Sequence, residues 1–113
     1  MNGNLTLGEV IGDQGGLKVA YNAWFFSLPA AVKNDPEKLR AEQKHFFLAF
    51  AQTWCSSETE AYEKMRATSD PHPPARYRVN GTLVNSPAFA EAYQCNQPGK
   101  EPKMAPKNRC SIW

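Results

Sequence analysis

The sequence predicts a mainly α-helical chain. Residues 7–27 carry an apolar stripe at helical spacing, which runs through Val10, Leu17, Ala20, Tyr21 and Trp24. Asp35-Pro36-Glu37 is a helix start, because aspartate caps free amides, proline suits the first turn and glutamate favours the positive helix end. Ser86-Pro87 opens another short helix, which we expect to reach about Tyr93.

The first predicted helix contains two unusual features. Gly15-Gly16 lowers helix propensity by about 1 kcal/mol per glycine, which indicates close backbone approach or a helix that starts or bends nearby. Glu9 and Asp13 are four residues apart and therefore share a face. Their like charges need a metal, a basic partner or water. One carboxylate can bind zinc while the other orients a zinc-bound histidine, or both can lie on a solvated face near a helix start.

The second predicted helix runs from Pro36 to about Cys55. Its second half is apolar nearly all round, through Phe46, Phe47, Leu48, Phe50, Ala51 and Trp54. Such a helix is expected to be buried on several sides. A chain of 113 residues with 42% hydrophobic residues can hardly cover this helix alone. We therefore expect surfaces outside this chain to pack against it. The aromatic residues are core by composition, although they can also line a peptide pocket.

The remainder of the chain is less regular. Residues 58–68 predict a third helix with a polar face. Three prolines crowd residues 69–81, which we expect to form an ordered loop leading to a short extended segment. From Asn96 onward proline, lysine and glycine dominate, and the apolar Ile112-Trp113 indicates a tail that docks on something.

Bulk properties exclude several classes of function. The length fits one domain or a piece of one. A net charge of +2 does not favour nucleic acid, and we expect no such partner. The chain as given shows neither a signal-peptide core nor the roughly 18 apolar residues of a membrane span. P-loop, G-x-G-x-x-G and G-x-S-x-G motifs are absent, so nothing supports nucleotide binding or serine catalysis.

The three cysteines, Cys55, Cys95 and Cys110, are an odd number without C-x-x-C spacing. A self-contained zinc knuckle is therefore not expected. Two can pair and leave one over, all can be reduced, or all can pair with cysteines outside this chain. The count by itself favours reduced thiols.

His72 lies between prolines, and Arg78 follows six residues later. A positioned histidine and arginine can stabilise an oxyanion or bind a carbonyl or carboxylate group. The alternative is an exposed loop histidine and an ordinary surface arginine. The only other histidine is His45, so the chain contains no H-E-x-x-H motif, and we expect His45 to be structural or solvent-facing.

Several motifs occur in a characteristic order between Gly3 and Trp113. They read GE-x-x-x-D-x-GGL-x-x-AY-x-A, FF-x-x-F-A-Q-x-W-C, D-x-H-x-P-x-x-x-R-x-x-G-T-L, a cysteine and a terminal C-x-x-W. This order resembles the C-terminal part of the neprilysin and endothelin-converting-enzyme family of zinc metallopeptidases. The resemblance implies that residues 1–113 form the helical C-terminal portion of a thermolysin-like (gluzincin) catalytic domain with a loop-rich tail. The H-E-x-x-H segment is expected upstream.

The resemblance assigns a role to each candidate residue. Glu9 would be the third zinc ligand, Asp13 would orient a zinc-binding histidine, and His72 would stabilise the tetrahedral intermediate. Arg78 would hold the substrate's backbone carbonyl. The pocket for the bulky apolar residue after the scissile bond would be lined by Phe50, Thr53 and Trp54. Val10 stands where the family has asparagine, so a side chain that could hydrogen-bond to the substrate or to a zinc-bound histidine is missing there.

The resemblance also bears on the cysteines and on the whole protein. Family members are secreted or are cell-surface ectodomains, and Cys55, Cys95 and Cys110 would pair with cysteines earlier in the same polypeptide. The complete protein would be a zinc endopeptidase acting on peptides. This chain alone is predicted to be inactive. The other readings are a short, non-catalytic product that binds peptides or proteins, and an unrelated helical protein in which the four polar residues do not converge.

Overall fold

Helices account for every regular element in the part of the chain that the computed structural model describes, namely residues 2–95, 97 and 106–110. The predicted mainly α-helical class is confirmed. The elements are α1 (Gly3–Ser27), α2 (Ala30–Lys33), α3 (Pro36–Gln52), α4 (Glu60–Ser69), α5 (Ala75–Val84), α6 (Pro87–Ala92) and a 3-10 turn (Pro106–Asn108). The predicted docking of Ile112-Trp113 lies outside the described residues.

Helix α1 begins four residues earlier than the apolar stripe predicts. The side chain of Asn2 caps it by accepting hydrogen bonds from the backbone amides of Asn4 and Leu5, at 3.1 and 3.4 Å. The helix neither starts nor ends at Gly15-Gly16. A Cβ atom added to Gly16 would meet no atom within 4 Å, so no backbone approaches closely there. Gly15, in contrast, is buried.

The predicted start of α3 at Asp35 is confirmed. The Asp35 carboxylate accepts hydrogen bonds from the amides of Glu37 and Lys38, at 3.1 and 3.2 Å. Phe47 is only 1% exposed, whereas Leu48 is 52% exposed. Within the described chain this helix is therefore buried along one face, not on several sides as its composition predicts.

The prediction of a loop and an extended segment over residues 69–81 is wrong beyond Pro74. Helix α5 begins at Ala75 and contains no proline. Pro74 occupies the cap position, and its carbonyl accepts hydrogen bonds from the amides of Tyr77 and Arg78, at 2.8 and 3.2 Å. A proline at or before a helix cap removes no helical hydrogen bond, because the first amides of a helix have no intrahelical partner.

A small core holds these helices together. Leu17, Phe47, Leu83 and Ala92 form the buried cluster, and Phe50 is among the half-buried side chains packed against it. Helix α1 packs mainly on α5, and α3 mainly on α6. The two long helices meet through aromatic side chains, with the Tyr21 ring stacked 5.6 Å from that of Phe47. The pairing of α1 with α5 carries Arg78 onto the face of Glu9 and Asp13.

None of the described helices combines the length and the apolar character needed to cross a membrane.

Candidate active site

Arg78 joins the two carboxylates of α1. Its Nε donates to Asp13 Oδ2 at 2.7 Å and its Nη2 donates to Asp13 Oδ1 at 2.6 Å. The same Nη2 lies 3.1 Å from Glu9 Oε2. The Arg78 and Asp13 side chains are 13% and 8% exposed, and that of Glu9 is 38% exposed. In this structure a basic partner therefore compensates the paired acids.

The electrostatics of this cluster keep Arg78 charged. The hydrogen bond to Asp13 raises the pKa of Arg78 above its ordinary value, and the charges of Asp13 and Glu9 act in the same direction against partial burial. The guanidinium also lies over the Trp54 ring, with Cζ 4.1 Å from the ring centroid. Contacts with two carboxylates and an aromatic face restrict the orientation of the cation.

His72 reaches the same cluster from the loop before α5. Its Nε2 lies 3.5 Å from Glu9 Oε1, and its ring is about half exposed. Its Nδ1 lies 2.7 Å from Asp70 Oδ1, and its backbone amide donates to the same oxygen at 2.8 Å. Because a carboxylate accepts only, this contact places a proton on Nδ1 and leaves Nε2 facing α1.

Asp70 is the anionic partner of this histidine. Its pKa is lowered to about 2, first by the hydrogen bond from the His72 amide, then by those from the His72 ring and from Arg66. It is therefore ionised throughout the neutral range. No role was predicted for Asp70 from the sequence, although Asp70 begins the D-x-H motif and its spacing favours a local side-chain contact with His72.

A cleft of about 340 Å³ opens beside these groups. Among the residues that line it are Thr53, Trp54, His72 and Arg78. The structure thus brings together six of the seven predicted site residues, since Glu9 and Asp13 contact Arg78. Phe50 lies apart from this lining, because its side chain packs against the core cluster.

The described residues do not form a metal site by themselves. No group of three or more His, Cys, Asp or Glu side chains is gathered closely enough among them to hold a metal ion. Glu9 is partly exposed and can offer one carboxylate, whereas zinc sites need three or four protein ligands.

The remaining sequence predictions concern His45 and the cysteines. His45 is exposed, with Nδ1 3.8 Å from Glu42, so its predicted solvent-facing position is confirmed. Cys55 and Cys110 are exposed and Cys95 is half-buried, and the structure records all three as free thiols.

The comparisons with known proteins agree with this geometry. The sequence profile of Peptidase family M13 matches residues 1–112, and the chain belongs to this family of metallopeptidases. The resemblance stated from the motifs is confirmed.

Curated relatives match over the whole of this chain. Neprilysin-3 of Drosophila melanogaster is 41% identical over 121 residues, endothelin-converting enzyme 1 of Cavia porcellus 42% over 115, and neprilysin-1 of Caenorhabditis elegans 40% over 118. The chain spans only 14–15% of the length of these relatives. No solved structure matches it significantly.

Proposed function

We propose that this chain is the C-terminal part of a zinc metalloendopeptidase that hydrolyses peptide bonds in peptides. The observation that carries the proposal is the convergence of four polar side chains. Arg78 contacts both Asp13 and Glu9, and His72 lies beside Glu9, although the contacting residues are more than 60 positions apart in the chain. An unrelated helical protein would have no reason to gather these four groups beside a cleft.

The acidic pair of α1 would serve the metal. Glu9 would be one zinc ligand, and Asp13 would hold a zinc-binding histidine from the upstream segment. Zinc, when bound, polarises the scissile carbonyl and activates water. Both Asp13 oxygens accept from Arg78. Each oxygen keeps a further lone pair, so this carboxylate can accept an imidazole N–H as well.

His72 and Arg78 would serve the substrate. Asp70 holds the Nδ1 side of the imidazole, so Nε2 is the nitrogen directed toward Glu9 and the cleft. In the imidazolium form, the Nε2–H group would donate a hydrogen bond to the oxyanion that develops on the substrate carbonyl. Arg78 presents a cation of fixed orientation between Asp13 and Trp54, which suits it to hold a backbone carbonyl in register.

The cleft would receive the side chain that follows the scissile bond. Trp54 provides an apolar wall and Thr53 lines the same space. The Thr53 hydroxyl donates to the carbonyl of Phe50 at 2.7 Å, which ties the end of α3 together. Phe50, which packs against the core cluster, is not part of this lining. A bulky apolar substrate side chain matches such a surface.

The complete protein would be extracellular or at the cell surface. Cys55 and Cys110 are exposed and Cys95 is half-buried, and all three would pair with cysteines in an upstream part of the same polypeptide. Disulfides are typical of proteins in an oxidising compartment.

The decisive experiment uses the complete protein that contains this chain. We expect zinc-dependent cleavage of a short peptide, reversibly abolished by a chelator. Glu9→Ala should abolish cleavage and lower zinc content, whereas the matched variant His45→Ala should retain both. Unchanged cleavage in Glu9→Ala, or a complete protein without an H-E-x-x-H segment, would refute the proposal.

A further inference from the structure

A linear network of charged side chains leads from α4 to His72. Glu58 Oε1 accepts from Arg66 Nη1 at 2.9 Å, and Asp70 Oδ2 accepts from Arg66 Nε at 2.6 Å. The other oxygen of Asp70 accepts from both the backbone and the ring of His72. Glu58, Arg66 and His72 all line the cleft described above.

This network is more enclosed than an ordinary surface ion pair. The Arg66 and Glu58 side chains are each 19% exposed, and Asp70 is 24% exposed. On the same helix the Lys64–Glu60 pair, at 2.6 Å, is 75% and 80% exposed. A charge pair shielded from solvent is screened less than an exposed pair, and its side chains are held in a more defined orientation.

The loop that carries His72 depends on this anchor. Residues 71–74 read Pro-His-Pro-Pro, so His72 has the single backbone N–H of this stretch, and Asp70 accepts it. Asp70 can hold the imidazole in one place only if its own carboxylate is fixed. Arg66 fixes the second oxygen, and Glu58 in turn fixes Arg66.

We propose that Arg66, braced by Glu58, is a positioning residue that orients His72 through Asp70. The inference rests on the proposed function, in which His72 meets the oxyanion of the tetrahedral intermediate. Arg66 does not itself act on the reacting atoms. Its loss would leave Asp70 free to rotate, and the imidazole would then spend less time aimed at the site where charge develops.

The test compares Arg66→Gln with Lys64→Gln in the complete peptidase. Both changes remove one positive charge from α4, but only the first breaks the network. For Arg66→Gln we expect kcat/KM to fall about tenfold, as for other residues that orient a catalytic group, with KM nearly unchanged. A phosphonate inhibitor, which imitates the tetrahedral intermediate, should lose affinity by the same factor. A thiol inhibitor, which lacks the oxyanion, should bind as before.

Inhibitor constants do not depend on the fraction of folded enzyme, so they separate positioning from a loss of stability. In a His72→Ala background, Arg66→Gln should have no further effect on kcat/KM, because the two residues act in series. Arg66→Lys should recover part of the activity. If Arg66→Gln fails to fold, Glu58→Gln replaces it, with a smaller loss of the same pattern.

Three results would overturn the inference. These are equal phosphonate affinity in Arg66→Gln and Lys64→Gln, additive losses in the His72→Ala background, or a change confined to KM, which would indicate direct substrate contact. An inactive wild-type protein would instead refute the proposed function, so the two failures are distinguishable.

Discussion

Removing Arg78 should destabilise the fold as well as the site. In Arg78→Ala, the Asp13 carboxylate loses both of its charge-assisted hydrogen bonds and stays at a position where its side chain is only 8% exposed. Breaking a buried ion pair from one side costs about 3–5 kcal/mol. Solvent reaches Glu9, so its contact adds at most about 1 kcal/mol. Losing the stacking on Trp54 adds about 0.5–1 kcal/mol.

We therefore expect the free energy of unfolding to fall by about 3–4 kcal/mol, the lower end of the summed contributions, because solvent partly reaches the ion pair. Urea denaturation of the 113-residue chain, followed by far-ultraviolet circular dichroism, measures this change, provided that the denaturant slope is unchanged. Arg78→Lys should lose less, because it keeps the charge but not the two-pronged geometry. The matched control is Arg76→Ala, whose side chain is 64% exposed and lies 3.9 Å from Glu63.

The control should change the free energy of unfolding by less than about 0.5 kcal/mol. The additional change Asp13→Asn should restore part of the stability lost in Arg78→Ala, because it removes the unpaired charge. A loss below about 1 kcal/mol in Arg78→Ala would refute the reasoning, since it would mean that the pair is screened like a surface pair. No restoration in the double variant would also contradict it.

Three further predictions concern acid stability, helix propensity and metal binding. Folding lowers the pKa of Asp70 from 3.8 to about 2. The stability that ionised Asp70 contributes should therefore be fully present above pH 4 and lost as the pH falls through 2. The difference in urea midpoint between wild type and Asp70→Asn should shrink over that window, and a difference independent of pH would contradict this. Gly16→Ala should raise the free energy of unfolding of this chain by about 0.5–1 kcal/mol, because the new methyl group meets open space. Thermal denaturation measures this change, and Gly81→Ala on α5 tests a second open position. A lower melting temperature for Gly16→Ala would show that this face of α1 is not open. The 113-residue chain should show no tight zinc binding in isothermal titration calorimetry, because one carboxylate cannot hold the ion; sub-micromolar binding that Glu9→Ala abolishes would refute this.

The helix starts were largely predictable from local sequence. Asp35 and Ser86 both cap as predicted, and Ser86 Oγ accepts from the amide of Phe89 at 3.2 Å. A cap is a contact between residues two or three apart, so its chemistry can be read without knowledge of the fold. Asn2 is also a capping residue type, but it lies before the apolar stripe. The start of α1 was therefore predicted four residues too late.

The α5 region was mispredicted because the number of prolines was considered without their positions relative to the helix start. Three prolines in residues 69–81 argue against a helix if they fall inside it, but all precede Ala75. The distinction between proline at a helix cap and proline in a helix interior depends on where the helix begins. That boundary is decided by the packing of α5 on α1, which local propensity does not contain.

The sequence by itself determined the helical class, the family and the identity of the polar residues, because caps, spacing and motif order are local properties of the chain. Only the tertiary structure decided that Arg78 neutralises Glu9 and Asp13. It also decided that Arg66 contacts Asp70, the partner of His72, and that Phe50 packs on the core while Trp54 lines the cleft. These contacts join residues up to 69 positions apart. Which side chains meet over such separations follows from how the helices pack, and helix packing is settled by the burial of apolar faces across the whole fold.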